Sequence, residues 1–186
     1  MNSDYEFFAY RAIEGRLVPQ PFDVFSYPMG DTTVRYLQDG KMHGGAQVLW
    51  VKSPSPDWSL VTAWADLLRD FEKRILVLPY LPSARGDKDT PSPARVNAGM
   101  AARTGITDII TLDPHSPVWL DTLSAACGHT IGVHRIDLSP LVYVSLPRFL
   151  DVDGVIAPDA GARERAGSVA KAFGVPLLIA SKHRDP

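Results

Sequence analysis

The sequence holds a single cysteine, Cys127, among its 186 residues. One cysteine cannot form an internal disulfide, which excludes a disulfide-stapled scaffold and is typical of a reducing compartment. Long apolar runs are also missing, since stretches such as 75–78 fall far short of the roughly 20 residues that span a bilayer. The first six residues include Asp4 and Glu6 and show no export signal. We therefore expect a soluble, cytoplasmic protein with no membrane partner.

Basic charge is not in excess either. The 19 lysines and arginines stand against 21 aspartates and glutamates, which gives a net charge of −2. Nucleic-acid-binding domains usually carry a basic excess, so we expect no nucleic-acid partner. The chain is 45% hydrophobic and 22% charged, which provides enough apolar surface to bury a core and excludes a mostly disordered chain.

Short β-branched and aromatic runs alternate with stretches of helical periodicity. This alternation predicts an α/β fold with a mostly parallel sheet flanked by helices. Trp58 and Trp64 lie at helical spacing and are expected in the core or in a subunit contact. The short connections in the N-terminal third predict a hairpin-rich edge. The expected strands are 5–10, 22–27, 32–37, 47–51, 74–78, 108–112, 154–157 and 176–180, and the expected helices are 57–71, 92–103 and 161–173.

Polar segments follow four of these strands, at the carboxyl ends where open α/β sheets bind ligands. In chain order they carry Arg85, Asp87, Lys88 and Asp89; then Asp113 and His115; then Asp159, Arg163 and Arg165; and last Lys182, His183 and Arg184. Cations, carboxylates and a histidine in this position suit a polyphosphate and its divalent metal ion.

In this order, the segments resemble the motifs of the ribose-phosphate pyrophosphokinase (phosphoribosyl pyrophosphate synthetase) family. LPYLPSARGDK at 78–88 resembles the family's PYxxYARQDR/K loop, and TLDPH at 111–115 resembles its LDLH motif. APDAGARER at 157–165 resembles SPDxGGxxR, and SKHR at 181–184 resembles the segment that opens the catalytic loop. YPMGD at 27–31 stands where the family has FSDGE or FSNQE.

This resemblance implies a Mg²⁺-dependent enzyme. It would transfer the β,γ-diphosphoryl group of ATP to the C1 hydroxyl of ribose 5-phosphate, giving phosphoribosyl pyrophosphate and AMP. The implied residues are Lys182 and Arg184 for catalysis; Arg85, Asp87, His115, Tyr27 and Asp31 for ATP; Asp159 for the ribose phosphate; and Asp113, His115 and Asp137 for the metal.

The resemblance also implies a phosphoribosyltransferase-like fold and a homo-oligomer, either a dimer or a hexamer, with ATP sites near subunit contacts. Residues 1–140 would form the N-terminal domain. Residues 141–186 would begin a second, incomplete domain, because the chain ends before the family's DDxxxTGGT-like phosphate loop.

Other interpretations stay open at this point. By residue type alone, His115 is a polar loop residue, and Lys182 with Arg184 is a solvated charge cluster; only their positions in the motifs favour function. The same chemistry could serve an acceptor such as ADP-ribose, because Met29 stands where an acidic or amide side chain often contacts adenine. A non-catalytic regulatory or assembly subunit is the remaining alternative.

Overall fold

The computed structural model describes residues 7–36, 45–145 and 151–181. The chain divides into two compact units, residues 1–136 and 137–186. The domain boundary expected after residue 140 falls inside a helix of the second unit, Ser139–Ser145. Across the described ranges, none of the helices is long and apolar enough to cross a membrane.

The first unit is built on a six-stranded sheet. Its elements are β1 Phe7–Ile13, β2 Arg16–Pro19, β3 Phe22–Ser26, β4 Thr32–Tyr36, β5 Ala46–Val51, α1 Trp58–Leu67, β6 Arg74–Leu78, α2 Pro93–Ala101, β7 Asp108–Leu112, α3 Val118–Ala126 and β8 Gly132–Ile136. The strand order is β2-β1-β5-β6-β7-β8, and β5 to β8 run parallel. The expected α/β class with a mostly parallel sheet is confirmed.

The hairpin-rich edge is present as well. Strand β1 pairs antiparallel with both β2 and β5. Strands β3 and β4 do not join this sheet; they form a two-stranded sheet of their own, with Val24 opposite Val34. This hairpin packs mainly against α1, where Val34 is buried in the core.

The core of the first unit lies between the sheet and its three helices. Leu49, Leu76 and Ile109 have neighbouring places on β5, β6 and β7, and all are at most 1% exposed. Trp64 of α1 and Trp119 of α3 are equally buried in the same cluster. This packing fixes the ends of β6 and β7, and so it fixes the loops that follow them.

Local signals explain where two of the helices begin. The Asp57 carboxylate accepts hydrogen bonds from the backbone N–H groups of Ser59 and Leu60, which caps α1. The Ser92 hydroxyl caps α2, and a proline follows it at the first helical position. Both helices end earlier than predicted, because residues 68–71 and 102–104 form turns instead.

The second unit contains a short parallel strand pair. Helix α4 (Ser139–Ser145) is followed by β9 (Val155–Ala157), α5 (Arg163–Phe173) and β10 (Leu177–Ile179). Strands β9 and β10 are parallel neighbours joined by α5. The helix ends at Gly174, whose φ of 70° is the left-handed conformation that a glycine adopts at little cost.

Candidate active site

Two loops meet at the carboxyl ends of β6 and β7. These strands are parallel neighbours, so both loops leave the sheet at the same edge. At their base, the backbone N–H of Leu112 donates to the carbonyl of Pro79 at 3.4 Å. Further out, the buried Trp119 indole N–H donates to the carbonyl of Pro82 at 3.0 Å. The loop that carries Arg85 is thereby attached to the start of α3.

Arg85 lies in a 3₁₀ turn, Ala84–Gly86, within the loop after β6. The turn is anchored by Ala84, which is 3% exposed, while the Arg85 side chain is exposed. The Ser92 hydroxyl donates to the carbonyl of Gly86 at 2.9 Å. A Cβ at Gly86 would come within 3.0 Å of the ring of Pro93, so this packing favours glycine where the family usually has glutamine.

Asp87 connects the two loops electrostatically. Interaction with the Ser116 hydroxyl lowers the pKa of Asp87 and outweighs the burial that raises it, and the nearby charges of His115 and Lys88 lower it further. Asp87 is therefore a carboxylate close to a hydroxyl and to basic side chains of both loops. Of the residues predicted for ATP, the structure brings Arg85, Asp87 and His115 to this one edge of the sheet.

Backbone strain is concentrated at the same edge. Ser83 has φ 55° and Asp113 has φ 39°, both in the left-handed region that few residues other than glycine adopt. Asp113 directly follows β7, and Ser83 precedes the turn that carries Arg85. Such conformations persist only where the surrounding structure imposes them, and they cluster at functional sites.

The carboxylates at this edge are of the type that binds magnesium ions. In the part of the chain that the structure describes, no three His, Cys, Asp or Glu side chains are grouped closely enough to hold a metal ion. Mg²⁺ is usually held by one or two carboxylates together with substrate phosphates and water. Asp113 in the loop after β7 and Asp87 in the loop after β6 are carboxylates of that kind.

Tyr27 and Asp31 lie at the tip of the separate β3–β4 hairpin. The backbone N–H of Tyr27 donates to the carbonyl of Asp31 at 2.7 Å, and the Tyr27 ring packs edge-on against Phe25. Tyr27 is 51% exposed and its neighbour Met29 is 91% exposed. These residues form the end of an exposed hairpin, and their predicted contact with adenine stays a prediction.

In the second unit, Asp159 and Asp137 both cap helical turns. The Asp159 carboxylate accepts a hydrogen bond from the backbone N–H of Ala162 at 3.1 Å, directly after β9. The Asp137 carboxylate accepts from the backbone N–H and the hydroxyl of Ser139, and these two bonds lower its pKa despite the opposing effect of burial. Their predicted roles toward ribose phosphate and metal stay predictions. Lys182 and Arg184 lie outside the described residues.

Three residues of this region were not singled out as site residues from the sequence. Ser116 directly follows His115 in the sequence, but its effect on the pKa of Asp87 depends on how two distant loops meet. Ser83 and Asn97 share a hydrogen bond at 3.3 Å across 14 positions of sequence. Neither of these two relations could be predicted from the local sequence, because single serines and asparagines are common in loops and helices.

The chain is similar to known proteins in its sequence and in its fold. No family model matches the chain. The chain is 27% identical to a ribose-phosphate pyrophosphokinase of Porphyromonas gingivalis, across 99% of this chain and 63% of that relative. It is 28% identical to one from Halobacterium salinarum, across 78% of this chain and 55% of the relative. The chain therefore spans less than two thirds of the length of these curated relatives.

A solved structure has the same fold. The chain matches a phosphoribosylpyrophosphate synthetase from Mycobacterium smegmatis with a TM-score of 0.65 and 23% identity. The match covers 89% of this chain and 57% of that one.

Proposed function

Since this chain belongs to the ribose-phosphate pyrophosphokinase family, we propose that it acts in the transfer of a diphosphoryl group from ATP to ribose 5-phosphate. The observation that carries this proposal is the meeting of the loops after β6 and β7. Arg85, Asp87 and His115 share that edge of the sheet with Asp113. The products would be phosphoribosyl pyrophosphate and AMP.

In this proposal the first unit binds the nucleotide. Arg85 is exposed on a turn that the buried Ala84 anchors, so its guanidinium can pair with phosphate oxygens while the turn stays fixed. His115 is exposed in the adjacent loop and adds a second polar group toward the same anion. Asp113 and Asp87 would hold Mg²⁺, which neutralises phosphate charge when it is bound with the nucleotide.

The remaining roles follow from the family motifs. Asp159 would face the ribose phosphate, and Lys182 and Arg184 would stabilise the migrating diphosphoryl group. The new bond joins the C1 oxygen to the β-phosphorus, the bond from that phosphorus to the AMP oxygen breaks, and the hydroxyl proton leaves to solvent. Such a transfer depends mainly on positioning and on stabilising charge, which the cationic side chains of these loops can do.

An assay of AMP formation tests the proposal. The protein is incubated with ATP and Mg²⁺, with and without ribose 5-phosphate, and AMP is separated and quantified. We expect AMP to form only when the acceptor is present. Asp113→Asn should lower the rate by about a hundredfold, because asparagine keeps the backbone conformation but loses the carboxylate charge.

Asp121→Asn is the matched control. Asp121 is an exposed carboxylate in the first turn of α3, near the site in sequence but outside the proposed binding groups. This variant should keep the wild-type rate. Absence of acceptor-dependent AMP formation by the wild-type protein would overturn the proposed transfer.

A further inference from the structure

A chain of three side chains connects α1 to the loop that carries Arg85. The indole N–H of Trp58, the first residue of α1, donates to the Oδ1 atom of Asn97 at 3.1 Å. The Asn97 amide nitrogen donates in turn to the Ser83 hydroxyl at 3.3 Å and to the carbonyl of Pro93 at 3.0 Å. The relay, as we name Trp58, Asn97 and Ser83 together, ends two residues before Arg85.

The chemistry of the partners fixes the orientation of the Asn97 amide. An indole N–H can only donate, so the oxygen of Asn97 must face Trp58. The carbonyl of Pro93 can only accept, so the amide nitrogen must face the other way, which is also the side of Ser83. Trp58 and Pro93 therefore require the same orientation of the Asn97 amide group.

This orientation leaves the proton of the Ser83 hydroxyl without a protein acceptor. Its oxygen accepts from Asn97, and within the described ranges no hydrogen bond uses the hydroxyl as donor. The side chain is exposed to solvent. An oriented hydroxyl with a proton to donate is suited to an incoming acceptor.

The backbone at Ser83 points to the same role. Its φ of 55° and ψ of 24° place a non-glycine residue in the left-handed region, which has a cost in stability for any residue with a Cβ atom. Glycine would avoid that cost, but it has no hydroxyl. Arg85 and Lys88 follow in the same loop, together with Asp87 and Asp89, and His115 lies in the adjoining one. The basic groups favour an anionic oxygen as the acceptor, and the carboxylates suit the metal ion that accompanies it.

We propose that Ser83 is a phosphate-binding residue whose hydroxyl donates a hydrogen bond to a phosphate oxygen of the nucleotide. Asn97 and Trp58 are positioning residues that hold this hydroxyl in place. The inference deepens the proposed function, because it names a further ligand for the phosphate chain of ATP at the same site. It applies equally to any polyphosphate that occupies the two loops.

Calorimetric titration of the full chain with Mg-ATP, and separately with inorganic tripolyphosphate, tests the inference. Ser83→Gly removes the hydroxyl and accepts the positive φ, so it should weaken binding of both probes about tenfold. Its free energy of unfolding should equal or exceed that of the wild type. Ser124→Ala, which removes an exposed hydroxyl from α3, should leave the affinity for both probes unchanged.

The relay is tested by two further variants. Trp58→Phe removes only the indole donor, and Asn97→Asp keeps the acceptor for Trp58 but loses the donor to Ser83. Each should weaken binding by a few-fold, and neither should weaken it further in the Ser83→Gly background, because the oriented hydroxyl is then already absent. Additive losses in the double variants would overturn the positioning role.

The outcomes separate this inference from the proposed function. If Ser83→Gly binds both probes as tightly as the wild type, while Arg85→Ala binds them more weakly, the inference is overturned and the proposed function stands. If the wild type binds tripolyphosphate and loses it on Ser83→Gly, but forms no AMP from ATP and ribose 5-phosphate, the inference stands without that function. Binding of neither probe by the wild type overturns both.

Discussion

Replacement of Asp108 by asparagine should destabilise the first unit without changing any residue of the candidate site. Asp108 is the first residue of β7, and its side chain is only 5% exposed. The carboxylate accepts hydrogen bonds from the Lys73 ammonium at 3.0 Å and the Thr107 hydroxyl at 2.7 Å. The His134 ring nitrogen lies 3.1 Å away. Asparagine keeps the shape of this side chain but removes its charge.

The expected loss is about 1–2 kcal/mol in the free energy of unfolding at pH 7. Hydrogen bonds to a charged group contribute roughly 1.5–3 kcal/mol each when they are buried. Here the Lys73 and His134 side chains are 52% and 57% exposed, so water replaces part of what they lose. Urea unfolding measures the difference, and the melting temperature should fall by about 2–8 °C.

The pH dependence gives a second check with a defined sign. Burial alone raises the pKa of Asp108, but bonds from His134, Thr107 and Lys73 bring it below the ordinary value of 3.8. Because the folded pKa is the lower one, the stabilisation is complete above the unfolded value and is lost as the pH falls through the folded value. The difference between Asp108→Asn and the wild type should therefore shrink from pH 5 toward pH 3.

Asp66→Asn serves as the control for this experiment. Asp66 forms an ion pair with Arg69 at 3.6 Å, in which both side chains are more than 70% exposed. Such exposed pairs contribute little, so this variant should stay within about 0.5 kcal/mol of the wild type. Equal stability of Asp108→Asn and the wild type at pH 7, or a difference that grows below pH 4, would refute the reasoning.

Three further predictions concern single contacts, each measured by urea unfolding. Trp119→Phe removes the buried donor to the carbonyl of Pro82 and should cost about 1–2 kcal/mol; an unchanged stability would mean that this bond does not hold the loop. Gly174→Ala should cost about 1 kcal/mol from its positive φ alone, since an added Cβ meets nothing within 4 Å. Asp159→Ala should cost about 1 kcal/mol as a lost cap to Ala162, while Asp159→Asn should restore most of it.

The two central strands could be predicted from the sequence to the residue. Segments 74–78 and 108–112 match β6 and β7, because each is a run of apolar and β-branched residues that ends where polar loop residues begin. The positions of Arg85 and Asp113 after these strands followed from the same pattern. The sequence therefore predicted correctly which polar residues follow these two strands.

Other elements left no comparable signal. Helix α3 begins after Pro117 with no capping side chain, so the usual mark of a helix start is missing. Strand β8 contains the exposed His134 and Arg135, and its pattern resembles a polar loop; pairing with β7 makes it a strand. The short strand β2 is exposed at all four positions and depends on its pairing with β1.

Some contacts in the candidate site could not be predicted from the sequence, for a different reason. Asp87 and Ser116 come together only because β6 and β7 are neighbours, and no periodicity in either loop encodes that contact. The relay likewise needs α1, α2 and the loop after β6 in their packed places. Trp58 was expected in the core or in a subunit contact. It packs partly buried against the core, and its indole nitrogen also donates to Asn97 of the relay.

The two ends of β7 differ in whether their buried polar groups have hydrogen-bond partners. At the amino end, Asp108 is buried and fully engaged by Lys73, Thr107 and His134. At the carboxyl end, the fully buried hydroxyl of Thr111 has no hydrogen-bond partner within the described residues, and the strand passes into the left-handed Asp113.

A buried polar group without a partner and a strained backbone at Asp113 both cost stability, and neither improves the packing of the sheet. In the proposed function, a metal ion held by Asp113 would offset part of this cost. The strained and unpartnered groups of β7 therefore lie at the carboxyl edge of the sheet, where the proposed function places the nucleotide.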